Sequence, residues 1–397
     1  MTSAYRFYFI GMAVFLMFST KMAAAAPDEL KYGKLSGYPA GDEMASDYII
    51  RYRVGGFSGK KLIKSGTTKT TITPSEAPRK VTTAIRNDWP TGFNPEQLLN
   101  NNPMMALILI QGNNIVYESY QYGTSASSTF NSESMAKTLT ALVIGVLLDE
   151  GLIKSLDNPI SEYVPEFNDV WFGKNTIKNL LQMQCGLDGA SAGATGARYA
   201  NIKFGPTASL GPPALNLYEY IRKLPMTSQP GTQWVYDPVC SDALSMIVTK
   251  VTGKLLAEVF QEKIWKKIET EHPAYWMKAT ATEITSGANQ FWAKPHDYAK
   301  IAILLANQGL FNGKQIISTK YMNALTNDYV RQPNTRYGAY TYQTWKHTSE
   351  SGASANGYLG QRIIFDTVNK NIFISFSVDD HDKASQPFWK WFSQLKN

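Results

Sequence analysis

The placing of strand-forming runs constrains this chain most. Two β-prone stretches, 105–110 and 115–122, lie early in the chain and are separated by Gln111-Gly112-Asn113-Asn114, a sequence suited to a hairpin turn. Three more, 337–345, 361–366 and 371–378, lie near its end. Between them the pattern is helical. Leu139, Leu142, Val143, Val146 and Leu147 fall at i, i+3, i+4, i+7 and i+8, the spacing of a buried helix, which should end near Gly151. Further helix signals cover 243–251, closing at Thr252-Gly253, and 297–307. From Pro159 to about Gly287 short helical patterns alternate with Gly/Pro loops and strand character is slight. Early and late strands find partners only by coming together. The pattern therefore predicts an α/β (α+β) fold: one antiparallel sheet built from N- and C-terminal segments, flanked by helices, with an inserted α-rich subdomain at about 151–287.

The remaining segments complete this division. Residues 27–90, rich in Gly, Lys, Ser, Thr and Pro with one strand expected at 48–54, read as an N-terminal arm preceding a domain at 91–397, which closes on an amphipathic segment at 387–395. At the amino terminus Arg6 precedes an apolar run, 7–18, then Ser19-Thr20-Lys21 and the small residues 23–26. That order is the layout of a signal peptide over 1–26, and its apolar part falls short of the ~20 residues a membrane span needs. The expectation is a secreted or periplasmic protein without a stable membrane anchor. Only 18% of residues are charged and 44% are hydrophobic, which excludes a disordered chain or a coiled coil. A net charge of +7 without a dense basic stripe argues against nucleic acid as a partner. Two cysteines and four scattered histidines provide neither a disulfide scaffold nor a multi-ligand metal site, so no metal is expected. Cys185 and Cys240 fit either a disulfide in an oxidising compartment or two buried thiols.

Several motif matches carry little. Gly189-Ala190-Ser191-Ala192-Gly193 fits G-x-S-x-G but follows a helix, where a nucleophile elbow needs a strand before it. The loop 55–61 is one residue short of a phosphate loop and has no Ser/Thr after its lysines. Asp379-Asp380-His381-Asp382 follows a strand end and reads as a solvated turn. Tyr340, Tyr342 and Trp345 alternate as one core-facing side of a strand. S-x-x-K occurs at Ser58/Lys61, Ser134/Lys137 and Ser393/Lys396. Only Ser134 opens a strongly periodic helix, where unpaired N–H groups favour a developing anion and a lysine three residues on returns to the same face. A serine hydroxyl needs an adjacent base, and a lysine in a desolvated site can serve.

Ser134-Met135-Ala136-Lys137 is followed in order by Leu147-Leu148-Asp149-Glu150-Gly151-Leu152-Ile153, by 159–167, by Leu180-Leu181-Gln182-Met183-Gln184-Cys185-Gly186-Leu187, by Pro230-Gly231-Thr232-Gln233-Trp234-Val235-Tyr236, by Val251-Thr252-Gly253 and by Asn356-Gly357-Tyr358-Leu359-Gly360-Gln361. This series resembles the β-lactamase-related serine hydrolases, most nearly their 6-aminohexanoate-dimer hydrolase-like branch, together with class C β-lactamases and related esterases. The resemblance spans roughly residues 85 to 385. It implies a β-lactamase/transpeptidase-like fold, no organic cofactor, Ser134 as nucleophile, and Lys137 with Tyr236 as general base and acid. It further implies an oxyanion hole from the Ser134 and Tyr358 N–H groups, and substrate contacts from Asn356 and Gly357. Tyr199, in Tyr199-Ala200-Asn201, fits the class C string better but lies in a loop, and is placed beside the pocket. Lys64-Ser65-Gly66 matches the strand triad of these relatives but precedes the nucleophile. In its proper place stands Ala355-Asn356-Gly357, without the cation that pairs with a substrate carboxylate. Arg362 is the nearest later charge. The tyrosine is followed by Asp237-Pro238 rather than Ser-x-Asn, which puts the usual relay around it in question. The implied substrate is a small ester, amide or short oligomeric amide. The alternatives are a true β-lactamase, a D-amino-acid peptidase, or an inactive binding protein of the same fold.

Overall fold

A computed structural model describes residue 26 and residues 60–72, 93–187, 216–278, 284–332, 338–347 and 351–378. In chain order the elements are β1 (Lys60–Ile63), α1 (Pro95–Asn100), β2 (Met104–Gln111), β3 (Asn114–Tyr120), β4 (Phe130–Asn131), α2 (Ala136–Asp149), α3 (Ile177–Leu181), α4 (Leu217–Arg222), α5 (Pro238–Thr252) and α6 (Leu256–Phe260). They continue with β5 (Ala274–Met277), β6 (Phe291–Ala293), α7 (Pro295–Ala306), β7 (Leu310–Phe311), β8 (Lys314–Gln315), α8 (Thr319–Asn327), β9 (Val330–Gln332), β10 (Gly338–Tyr340), β11 (Trp345–His347), β12 (Gly352–Gly357), β13 (Gln361–Asp366) and β14 (Asn371–Ser377).

The expected union of early and late strands is the backbone of the molecule. The main sheet runs β3-β2-β14-β13-β12-β11-β10-β9, and β14 pairs with β2 along nearly its whole length, from Asn371 opposite Gln111 to Ser377 opposite Met104. The β2–β3 hairpin turns at Gly112, whose φ of +59° suits glycine. Both faces are covered, so β13 and β14 are buried throughout instead of alternating. Leu107, Leu109, Ile364 and Phe373 on one face pack with Leu99 of α1. Ile108, Ile363, Ile374 and Phe376 on the other join the principal core together with residues of α2 and α7.

Helix α2 is buried on every side from Ala136 to Leu147, which explains a pattern apolar beyond a single stripe. Helix α5 begins with the Asp237 carboxylate accepting the Val239 N–H at 3.0 Å and Pro238 at the first helical position, and ends at Gly253 with φ +68°.

Two expectations are corrected. The sheet is not alone: β1, β5, β6 and β4 form a second antiparallel sheet, which draws one strand from residues expected to be an arm and another from the stretch expected to be α-rich with slight strand character. Its strands are two to four residues long, too short for a period-two pattern to register. The single strand expected over 337–345 is two, β10 and β11, broken at residues 341–344, where the Thr341 N–H and hydroxyl both donate to the Thr344 carbonyl and Gln343 takes φ +54°. The expected leader apart from Ala26, the strand at 48–54 and the closing segment 387–395 lie outside the described residues.

Candidate active site

The approach to Ser134 is a sharp turn fixed by short hydrogen bonds. After β4, Ser132 donates its N–H to the Phe291 carbonyl at 2.7 Å, and Phe291 returns its N–H to Ser132 Oγ at 3.0 Å. Glu133 then takes φ +46°, a left-handed conformation held by its N–H on Asn131 Oδ1 at 2.9 Å and by Asn131 Nδ2 on Glu133 Oε1 at 3.1 Å. A 3-10 turn, Glu133–Met135, runs directly into α2. Ser134 thus sits in the first turn of a helical unit, where backbone N–H groups lack intrahelical acceptors. It is half-buried.

One turn on, Lys137 is 1% exposed. Its Nζ donates to Ser134 Oγ at 3.0 Å and to the Ala288 carbonyl at 2.7 Å. Among the described residues it makes no ion pair, so these two oxygens are its polar surroundings. The Ala288 carbonyl is held by its neighbours: Gly287 donates its N–H to Asp242 Oδ1 at 2.8 Å and accepts from Thr140 at 2.8 Å, and Ser245 donates to the Thr285 carbonyl at 2.6 Å. A Cβ on Gly287 would lie 2.1 Å from the Ser241 carbonyl, so only glycine lets this segment rest on α5. Sequence reading missed Ala288 and its supports, because a backbone carbonyl acting as a contact leaves no mark in residue type.

Tyr236 is brought in by a strap. Gly231, at φ +83°, donates its N–H to the Gln184 carbonyl at 2.9 Å, Gln184 Nε2 returns to the Gly231 carbonyl at 3.0 Å, and Val235 donates to Met183 at 2.9 Å. Cys185 and Cys240, with Cα atoms 6.2 Å apart, form a disulfide across the same junction. Lys137 Nζ lies 5.1 Å from the centre of the Tyr236 ring. The ring stacks on Trp345 at 5.5 Å, meets Tyr340 edge-on at 6.0 Å and lies 6.3 Å from Trp234. Burial, with Tyr236 beside it, pushes the Tyr340 phenol well above its ordinary range. The expected single aromatic face is therefore corrected. Tyr340 and Trp345 stand at the site, whereas Tyr342 belongs to the intervening turn, donating to Asp328 Oδ2 at 2.8 Å and packing on Tyr321.

The third wall is β12. Its pairing with β11 stops at Ser354, and Gly357 at its end lies against the turn before Ser134: a Cβ there would be 2.3 Å from the Ser132 carbonyl and 2.9 Å from Glu133 Cβ. Tyr358 follows with its side chain 68% exposed. Ala355 faces the core. Both amide atoms of Asn356 are buried without a hydrogen-bond partner among the described residues, and Arg362, also buried, stands directly opposite in register on β13. The tight connection through Leu359 (φ +57°) and Gly360 (φ +81°) makes positions six apart neighbours, which linear spacing hides.

The other candidates fall away or lie elsewhere. Tyr199, the G-x-S-x-G string, Ser58, Ser393 and the 379–382 cluster lie outside the described residues. Lys61 pairs with Glu258 at 2.6 Å, and Lys64-Ser65-Gly66 packs against Gln261 and Lys266. His272 pairs with Asp297 and His296 with Glu118, apart from the Ser134 group. Among the described residues no group of three or more His, Cys, Asp or Glu is arranged to hold a metal.

Residues 96–392 match the Beta-lactamase family model, and the chain belongs to that family of serine hydrolases. It is 25% identical over 299 residues to a 6-aminohexanoate-dimer hydrolase of Paenarthrobacter ureafaciens, covering 71% of this chain and 74% of that protein. It is 26% identical over 184 residues to the D-alanyl-D-alanine-carboxypeptidase/endopeptidase AmpH of Escherichia coli K12, covering 43% of this chain and 45% of AmpH. Among solved structures it resembles a Bacillus anthracis protein provisionally named a 6-aminohexanoate-dimer hydrolase, with TM-score 0.72, 22% identity, and coverage of 85% of this chain and 90% of that one. A penicillin binding protein from Bacillus halodurans shares the fold with TM-score 0.60 at 14% identity, over 77% of this chain and 100% of that one. No helix among the described residues is long and apolar enough to cross a membrane.

Proposed function

We propose that this protein is an exported serine hydrolase that cleaves uncharged esters or amides, short oligomeric amides included, through an acyl-enzyme on Ser134. The observation that carries this reading is the 3.0 Å contact between Lys137 Nζ and Ser134 Oγ inside a buried setting, with Ala288 fixing the amine from the far side. Ser134 Oγ attacks the substrate carbonyl carbon while the Lys137 amine takes the hydroxyl proton. Tyr236, across the ring face from Lys137, passes a proton to the leaving ester oxygen or amide nitrogen. Water then attacks the acyl-enzyme, the same two groups working in reverse. The Ser134 and Tyr358 N–H groups hold the oxyanion, a role worth ~3 kcal/mol per donor in measured cases. Asn356, its amide unpartnered among the described residues, and Gly357 are assigned to the substrate side, and Tyr199 is assigned a substrate contact from its sequence string alone.

Three further observations support the reading. Ala355 supplies no cation for a substrate carboxylate, which favours neutral substrates over penicillin-type ones. A relative over most of the chain carries the name of a hydrolase of a linear amide dimer. The Asp237-Pro238 departure is an N-cap and a first-turn proline that start α5, a structural reason for these residues that needs no loss of catalysis. Export rests on the leader pattern of residues 1–26.

Fluorophosphonate labelling followed by mass mapping should place one adduct on Ser134, and an activated ester should show a burst. A Ser134→Ala protein as active as the native one overturns the assignment. Nitrocefin turnover or a stable penicillin adduct would move the substrate to cell-wall chemistry, and absence of labelling would favour a binding protein.

A further inference from the structure

We infer that Gln343, in the turn between β10 and β11, is a positioning residue that holds Tyr236 in register with Lys137; the inference rests on the roles just given to Ser134, Lys137 and Tyr236. Gln343 is 2% exposed and uses its backbone N–H, its carbonyl and both side-chain amide atoms. Its N–H donates to the Leu181 carbonyl at 2.8 Å, and its Nε2 donates to Leu180 at 2.7 Å and Leu181 at 3.3 Å. Its Oε1 accepts from Ser241 Oγ at 2.6 Å, and its carbonyl accepts from Thr138 Oγ1 at 2.9 Å. One residue thereby ties together α3, α5 and α2.

Each tie leads to the acid/base pair. Thr138 follows Lys137 on α2. Ser241 lies in the first turns of α5, which Tyr236 immediately precedes. Helix α3 continues into Met183 and Gln184, which hold Val235 and Gly231. On either side of Gln343, Tyr340 and Trp345 pack the Tyr236 ring, Trp345 at 5.5 Å on a nearly parallel plane. The helices that carry Lys137 and follow Tyr236, and the strap before it, are therefore bonded to Gln343 or continuous with residues that are, while Ala288 fixes the amine from the other side.

The residue type follows from this work. The site requires two N–H donors and one acceptor at the reach of a side chain, which a glutamine amide provides. The backbone at φ +54° is a conformation that a non-glycine residue adopts at a cost, and such outliers persist where the surroundings hold them. Glycine would relax the turn but would bring none of the side-chain hydrogen bonds to Leu180, Leu181 and Ser241.

The test compares Gln343→Gly with the native protein on two esters of one acid, one with a good leaving group and one with a poor one. Gln343→Gly keeps the left-handed turn without strain but leaves the Leu180 carbonyl and Ser241 Oγ without the amide, and Leu181 with the backbone N–H alone. Misplaced proton delivery should lower kcat by roughly tenfold or more on the poor leaving group, which needs protonation, and by much less on the good one. KM should change little, and the pH profile of kcat should lose sharpness on its basic side. An equal loss on both esters, or a loss only of thermal stability, would reduce Gln343 to an ordinary buried turn residue and overturn the inference. If Gln343→Gly does not fold, Ser241→Ala, which deletes the single 2.6 Å contact, carries the same comparison. Failure of the native protein to label at Ser134 would sink the acyl-enzyme reading itself, a result separable from any behaviour of the variants.

Discussion

At Gly357 the chain has no room for one methyl group. The nearest atom to an added Cβ is a backbone carbonyl, Ser132 O at 2.3 Å, which cannot rotate away as a flexible side chain would. Gly357→Ala must therefore push β12 away from the turn that carries Ser134. The expected outcome is a fall in kcat/KM of about a hundredfold, since displacements near 1 Å are enough for that, with about 1–3 kcal/mol of stability lost to overpacking. Gly112→Ala is the contrast: no described residue lies within 4 Å of the added Cβ and only the φ of +59° is strained, so about 1 kcal/mol should be lost with activity intact. Ester hydrolysis and thermal melting of the two variants check both statements. The resemblance implied for Gly357 a contact with substrate; the neighbour its missing Cβ avoids is its own chain, 225 positions away in number and adjacent only in the fold. Ser134 and Lys137 were legible because a three-residue spacing on a helix is a local relation. Ala288, Gln343 and the Asn356–Arg362 pairing were not, because each depends on register or on backbone atoms.

Between elements, the contact of α7 with β3 is a charged clamp. His296, in the first turn of α7, approaches both carboxylate oxygens of Glu118 at 2.9 and 3.0 Å, and Tyr120 donates to the same carboxylate. The hydrogen bond from Glu118 raises the His296 pKa above 6.5 against the opposing effect of burial. Burial pushes the Glu118 carboxyl up, but the His296 and Tyr120 hydrogen bonds outweigh it and hold its pKa below 4.5. The two signs define a window. The histidine's contribution is complete below pH 6.5 and is lost as pH rises through its elevated folded value. The carboxylate's contribution is complete above pH 4.5 and is lost as pH falls through its depressed one. The clamp is therefore strongest between about pH 4.5 and 6.5. His296→Gln should cost about 1.5 kcal/mol at pH 5.5 and distinctly less at pH 8.5, measured by melting the native protein and the variant at both values. A loss independent of pH would show that the histidine acts only by packing. Elements of ten or more residues, α2, α5 and α7, could be read from their periodicity and caps. The strands of the second sheet could not, because two to four residues carry too little pattern.

For the molecule as a whole, the decisive fact is how far apart in sequence its joined parts are: β2 lies beside β14, β1 beside β5, and the Ser134 turn beside β12. That architecture was legible as a class, since strands at both ends of a helical middle admit few other solutions. The joints that hold it were not, and the Cys185–Cys240 disulfide is the one whose contribution can be sized. It closes a separation of 55 residues and fastens the start of α5, just after Tyr236, to the segment that follows α3. On a chain-entropy basis a loop of that length is worth about 4 kcal/mol through the unfolded state. At about 2 °C per kcal/mol for a chain of this size, the Cys185→Ser/Cys240→Ser protein should melt roughly 8 °C below the oxidised native protein. Both cysteines are buried, so reductant added to the folded protein should act only as fast as the α5 junction opens, and melting in reductant should approach that of the double variant. The hydrogen bonds of Gly231 and Val235 to Gln184 and Met183 remain when the sulfurs part, so Ser134 labelling at low temperature should persist in the double variant at near the native rate. Complete loss of labelling in a variant that still melts cooperatively would mean that the disulfide, and not the backbone strap, holds Tyr236 in place.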